Sequence, residues 1–431
     1  MTGSPPGLHV VDRVVEVPLD RSGRLPGTLR VFAREVTAAH RRHEDLPLLL
    51  FLQGGPGGAS PRPLDASGWL GALLERFRVV LLDQRGTGRS TPVDAARIAA
   101  LGTDGGAYLA CFRADAIVED AEHLRRTVYG GRRWATLGQS YGGFVTLAYL
   151  SRHPEALTAC LVTGGLPAVR PDAVEVYRRT FPAVLAAGDR YDTRYPQDVP
   201  VLARIADRLA EDDVRLPDGD RLTVRRLQLI GTDLGMQHGA ERLHALLDTA
   251  WSGDRLSDAF LHRVLALTAY AANPLYMVLQ EAIYGDGSAT GWAAEAERRR
   301  HPAFAEGARP LRLTGEAVFS WMFRDIRLLR PFEAAAESIA TRNDWPPLHD
   351  PDRLAGSAVP VAAAVYADDL FVPLELSLRT AAEVGSVTPW VTDEWQHDGL
   401  RISGDRVVRH LLRLLDEQGA LAPQSSKAAG V

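Results

Sequence analysis

At 431 residues the chain is longer than one ordinary domain, and its 46% hydrophobic and 24% charged residues allow a large buried core. A formal net charge of -5, from 49 basic and 54 acidic residues, leaves no basic field for a nucleic-acid backbone, and no apolar run approaches the roughly 18 residues of a bilayer span. Cys111 and Cys160 lack metal or redox spacing and read as free thiols of a reducing compartment, and residues 1–7 carry no secretory pattern, so a cytoplasmic protein is expected.

Residues 10–17 and 28–36, with turn formers between them, read as a strand pair. Short apolar runs follow at 46–52, 77–82, 134–137 and 160–162, most of them running into glycines, the pattern of strands buried on both faces of a parallel sheet. Helical patterns lie between them, at 114–129, with apolar Ile117, Ala121, Leu124 and Val128, and at 141–152, stopped by Pro154. From 172 to about 335 the period is almost wholly helical, including 199–210, 255–272 and 291–300. Apolar runs then return at 359–366 and 387–392, before a helix at 405–415. The expected architecture is an α/β sheet domain, residues 1–168 and 336–420, interrupted by a helical cap at 169–335 and ended by a flexible tail at 421–431. A cap there would cover the carboxyl ends of the strands, where open α/β sheets bind ligands.

The strongest chemical signal is Gly138-Gln139-Ser140-Tyr141-Gly142, a G-x-S-x-G pattern between a strand and a helix. A serine on so sharp a turn stands clear of the sheet edge, and glycines two residues away avoid collision with neighbouring backbone. Ser140 is the candidate nucleophile. The loop Gln53-Gly54-Gly55-Pro56-Gly57-Gly58 can bring backbone N–H groups close to a substrate, which makes the N–H groups of Gly55 and Tyr141 the candidate oxyanion hole. Of 12 histidines, His397 follows the late strand 387–392 and precedes the last helix, the place of the base in a Ser…Asp…His order; His301, His349 and His410 fit it less well. The acid must follow the strand 359–366. Asp369, before Leu370-Phe371-Val372-Pro373, is preferred to Asp368, which is expected to cap or bond the loop.

Together, residues 53–58, Asp83-Gln84-Arg85-Gly86-Thr87-Gly88-Arg89-Ser90, 112–122, 138–143, 164–167 and 394–399 resemble the prolyl aminopeptidases (proline iminopeptidases), serine peptidases of the α/β-hydrolase fold. The likeness covers roughly 46–168 and 344–413, and the helical stretch only in patches. It implies release of an N-terminal residue, preferably proline, from small peptides with a free N-terminus, with no metal, organic cofactor, nucleic acid or membrane involved; the oligomeric state stays open. It also carries the role of holding the substrate's amine to Glu281, with Glu316 as a second candidate. Gln53 stands where family members usually have histidine, which leaves substrate shape near the oxyanion hole open. The Asp83-Gln84-Arg85 run is expected to be structural, an Asp–Arg pair pinning the loop. Rival readings are an esterase or amidase of the same fold acting on small neutral substrates, and a non-catalytic binding protein on a hydrolase scaffold.

Overall fold

The computed structural model describes residues 4–421; apart from Leu421, the expected tail at 421–431 lies outside them. One eight-stranded sheet runs in the order β1-β2-β4-β3-β5-β6-β9-β10. The strands are β1 (Leu8–Pro18), β2 (Thr28–Ala38), β3 (Leu48–Leu52), β4 (Arg78–Asp83), β5 (Trp134–Gln139), β6 (Leu157–Thr163), β9 (Val361–Tyr366) and β10 (Val387–Thr392). A two-stranded hairpin, β7 (Trp251–Ser252) and β8 (Arg255–Leu256), stands apart. β1 and β2 pair antiparallel, as do β2 and β4; every neighbouring pair from β4 to β10 is parallel.

The central strands read as continuous apolar runs because both faces are covered. Leu48, Leu50 and Leu52 enter the core shared with helices Ala114–Val128 and Tyr141–Arg152, while Leu49 and Phe51 pack with Gly68–Leu74 and Arg406–Glu417 on the other face. β9 splits in the same way, with Ala363 and Val365 on one face and Ala362 and Ala364 on the other. Edge strand β10, half-buried or exposed along its length, has no such run.

Between β6 and β9 the regular elements of the described chain are helices, apart from the hairpin. The helix expected at 255–272 is shorter, Asp258–Thr268, because Arg255 and Leu256 are taken by the hairpin and Ser257 caps the helix by accepting the Phe260 N–H. This stretch has two kinds of packing. Leu202, Ile205, Leu227, Leu243 and Phe260 belong to a core of their own, whereas Leu275, Met277, Tyr284, Phe319 and Phe332 join the core under the main sheet. Among the described residues no helix is long and apolar enough to cross a membrane, and no group of three or more His, Cys, Asp or Glu could hold a metal ion.

Candidate active site

Parallel registry brings the ends of β3, β5, β6, β9 and β10 to one edge: Leu52 pairs with Gly138, Gln139 with Thr163, Thr163 with Ala364, and Tyr366 with Thr392. Ser140 follows β5 at φ 54, ψ -123, a backbone position unfavourable for any residue with a side chain. The turn is so tight that a β-carbon on Gly138 would lie 2.3 Å from the Gly142 carbonyl oxygen. One on Gly142 would lie 1.9 Å from that of Leu52. The Ser140 N–H donates to the Thr163 carbonyl at 2.9 Å, and the Ser140 carbonyl accepts from Gly143 at 2.7 Å, which fixes the strained residue from both sides.

His397 comes to Ser140 from the far end of the chain. Its Nε2 lies 2.9 Å from Ser140 Oγ and its Nδ1 lies 2.8 Å from Asp369 Oδ2. The Phe371 and Val372 N–H groups donate to Asp369 Oδ1 at 2.8 and 3.0 Å, so one oxygen is held by backbone and the other faces the imidazole. A carboxylate there keeps the proton on Nδ1 and leaves Nε2 free to accept from the serine. Burial by itself would push the His397 pKa down, but the Asp369 charge and hydrogen bond outweigh it and hold the pKa above the ordinary histidine value, with Glu316 adding to the rise. The Phe371 ring lies against the imidazole at 4.4 Å. The sequence-preferred acid, Asp369, is therefore the one beside His397. Asp368 is exposed, and the loop-bonding role expected of it is performed by Asp369.

The glycine loop after β3 needs its glycines at specific places: Gly55 has φ 132 and Gly57 φ 76. Gln84 Nε2 fastens it by donating to the Gln53 carbonyl at 2.8 Å, and Asn273 Nδ2 fastens it to the insertion by donating to the Pro56 carbonyl at 3.2 Å. Tyr141 begins the helix Tyr141–Arg152, so its N–H belongs to the first turn, where donors lack helical partners. The expected Asp83–Arg85 pair does not form. Asp83 pairs with Arg62 and accepts from the Ser60 and Arg89 N–H groups, while Arg85 is buried against Asp120 and the Leu19 and Cys111 carbonyls. Each partner is satisfied elsewhere, and the loop is braced by both networks.

The two glutamates of the insertion have different surroundings. Glu281 is 5% exposed, and its oxygens accept from the Ala293 and Ala294 N–H groups at 3.0 and 3.2 Å, capping the helix Ala293–Arg298. Burial raises its pKa to about 7 against the pull of those donors. Glu316 is enclosed yet keeps some accessible surface. Burial raises its pKa too, to about 7. Tyr276 Oη donates to its Oε1, the Gln280 side chain lies nearby, and it is near enough to His397 and Asp369 for the charges to be felt. Gln280 is 2% exposed and its Oε1 has no partner, a buried acceptor facing no donor. Sequence reasoning overlooked Tyr276 and Gln280. Asn273-Pro274 is legible in the sequence as a capped helix start, and the structure ties that start to the glycine loop.

Of the other histidines, His349 is buried with Nδ1 2.8 Å from the Val169 carbonyl, His410 stacks on Trp390 at 3.8 Å, and His301 stacks on Phe181 at 5.7 Å. None faces Ser140.

A family model described as the α/β hydrolase fold matches residues 47–213. A proline iminopeptidase of Aeromonas sobria is 42% identical over 413 residues, 95% of this chain and 97% of that protein. Another, of Aspergillus aculeatus, is 33% identical over 94% of this chain and 93% of its own length. A solved proline iminopeptidase of Mycobacterium smegmatis aligns over 95% of this chain and 99% of that one with a TM-score of 0.44 at 15% identity.

Proposed function

The chain belongs to the proline iminopeptidase family of α/β hydrolases, and from that premise we propose that it releases an N-terminal residue, preferably proline, from small peptides through an acyl-enzyme on Ser140. Ser140 Oγ attacks the first peptide carbonyl while His397 Nε2 takes its proton. The resulting oxyanion is held by the N–H groups of Gly55 and Tyr141, and Asp369 stabilises the imidazolium. His397 then gives the proton to the departing amine, the C–N bond breaks, and water, deprotonated by the same imidazole, releases the amino acid.

The observation that carries this reading is a carboxylate, Glu316, enclosed near the triad, bonded by Tyr276 and with Gln280 beside it. An esterase for neutral substrates has no use for a desolvated anion there. A substrate ammonium would restore its charge balance, and a protonated prolyl nitrogen offers two N–H donors, one for Glu316 and one for the unpartnered Gln280 oxygen. Phe144, Tyr284 and Phe371 supply the apolar wall for the pyrrolidine ring. In this reading Glu316 takes the amine, and Glu281, whose oxygens are held by the Ala293 and Ala294 N–H groups, supports the site from the neighbouring helix end. The division into a core at 1–168 and 336–420 and a cap at 169–335 belongs to the same proposal, as does a cytoplasmic location, for which the free Cys111 and Cys160 speak.

The test is a panel of aminoacyl-naphthylamides with free and acetylated N-termini. Prolyl-naphthylamide should turn over fastest and its acetylated form hardly at all. Equal cleavage of both, or turnover of acyl esters with the prolyl amide inert, would leave an esterase.

A further inference from the structure

His397 sits on a loop beyond the last strand, so its backbone neighbours, unlike those of Ser140, are not fixed by sheet register. The core holds this loop through the Tyr366 ring at the end of β9, which leaves no room for a β-carbon on Gly399. The remaining partners come from the helical insertion. The His397 N–H donates to the Gly235 carbonyl at 3.3 Å, and the Gln396 N–H donates to Gln237 Oε1 at 3.1 Å. The Gln237 N–H in turn donates to Asp398 Oδ1 at 2.9 Å. One residue, Gln237, therefore holds the chain on both sides of the base, and Gly235 holds the base itself. Gly235 also leaves no space for a side chain against the Phe371 ring, which lies on the His397 imidazole at 4.4 Å.

The segment that carries Gly235 and Gln237 is itself fastened at several points. Gly235 ends the 3-10 helix Leu229–Gly235. Near the start of that helix the Thr314 N–H donates to the Gln228 carbonyl at 2.9 Å, and within it the Thr232 hydroxyl donates to the Gly315 carbonyl at 3.3 Å. Arg242 pairs with Asp233 at 2.8 Å and donates to the Gln237 carbonyl at 2.7 Å. Gln237 is thus held by its carbonyl from the insertion side while its N–H and side-chain oxygen face the loop of the base.

We propose, resting on the aminopeptidase reading only for its triad, that Gln237 is a positioning residue for His397: it fixes the loop 396–398 so that His397 Nε2 stays in line with Ser140 Oγ. Without the Gln237 oxygen the Gln396 N–H loses its partner and the imidazole spends less time at the attack geometry, where a misplacement of about 1 Å can slow catalysis roughly 10²-fold. The insertion then sets the rate of the chemical step and does more than enclose the substrate. Asp398 gives a second readout. Burial lowers the His397 pKa, and Asp369 chiefly, with Glu316 and Asp398, raises it. Near Asp398, Arg242 is already paired with Asp233, and Tyr366 is neutral.

The experiment compares two variants of nearly native volume. Gln237→Met offers no acceptor and should lower kcat on prolyl-naphthylamide roughly tenfold with KM and circular dichroism unchanged, and should slow fluorophosphonate labelling of Ser140 by the same factor. Gln237→Glu keeps an acceptor for the Gln396 N–H and should recover most of the kcat on the alkaline plateau. Asp398→Asn keeps the bond to Gln237 and removes the charge, so the rise of kcat/KM with pH should move to a lower midpoint. Native kcat in Gln237→Met, a loss confined to KM, equal losses in the Met and Glu variants, or an unmoved midpoint in Asp398→Asn overturns the proposal. A native enzyme inert toward prolyl-naphthylamide strikes the aminopeptidase reading instead, and the labelling rates at Ser140 then decide between the variants alone.

Discussion

The sheet edge and the helical insertion build their halves of the site by different means. At the sheet edge, position follows from register: strands buried on both faces end in line, and a residue one to five places beyond a strand end has little freedom. In the insertion, position follows from side chains meeting across the fold, as where Tyr276 reaches Glu316 or Asn273 reaches the glycine loop. The first kind of site tolerates almost no change in backbone and the second almost none in polar partners.

The largest expected effects lie at the edge. Ser140→Ala should lower kcat by roughly 10⁶-fold with the fold intact, read by turnover and circular dichroism. Asp369→Asn should cost roughly 10⁴-fold by presenting the wrong imidazole tautomer. Asp368→Asn should leave prolyl-naphthylamide turnover within a few fold, and comparable losses for the two aspartates would break the assignment.

Next come the two insertion glutamates, which sharpen the comparison. Glu316→Gln should lower kcat/KM on prolyl-naphthylamide roughly 10²-fold, since a hydrogen bond to a charged group contributes about 1.5–3 kcal/mol. The cyclopentanecarbonyl analogue, which lacks the amine, should be unaffected. Because burial raises the Glu316 pKa to about 7, its ionisation opposes folding increasingly as pH rises from the ordinary carboxylate range through that value. The same variant should therefore melt higher than the native protein at pH 8. Glu281→Gln sheds a similar burial cost, its pKa also being raised to about 7, but sets an amide N–H₂ against a backbone N–H of Ala293 or Ala294, so it should melt below the Glu316→Gln variant at pH 8. Matching behaviour of the two variants would erase the distinction.

The smallest effect is on pH dependence. The free enzyme needs His397 neutral, so kcat/KM should rise with pH, with a midpoint above the ordinary histidine value of about 6.5 because Asp369 outweighs burial. Glu316 must be ionised to hold an ammonium, and its pKa of about 7 adds a second ionisation that steepens the limb. Glu316→Gln should make that limb shallower, measured on the same prolyl substrate.

The difference between the regions also explains what could be read from the chain beforehand. Runs such as Leu48–Leu52 and Val361–Tyr366 carry their burial in their composition, so the sheet, Ser140, His397 and Asp369 were legible in order. The insertion was legible only as helical. Its amphipathic stretches do not say which core they join, and nothing local marks Leu275 and Phe319 as partners of the main sheet while Phe260 keeps to a separate cluster. Glu281 and Glu316 looked alike because their difference lies in partners distant in sequence: Ala293 and Ala294 for one, Tyr276 for the other. Asp83 and Arg85 misled for the same reason. Adjacency suggested a pair, and the fold gave each a better partner in Arg62 and Asp120.

The account stands on one hydroxyl activated by one imidazole. Its most direct test is reaction of the folded protein with a fluorophosphonate, the adduct located by peptide mass spectrometry. A single adduct on Ser140, forming faster as His397 loses its proton and slowed by Asp369→Asn, is the predicted result. An unmodified Ser140 in folded protein, or labelling at its native rate in a His397→Ala variant, would contradict it.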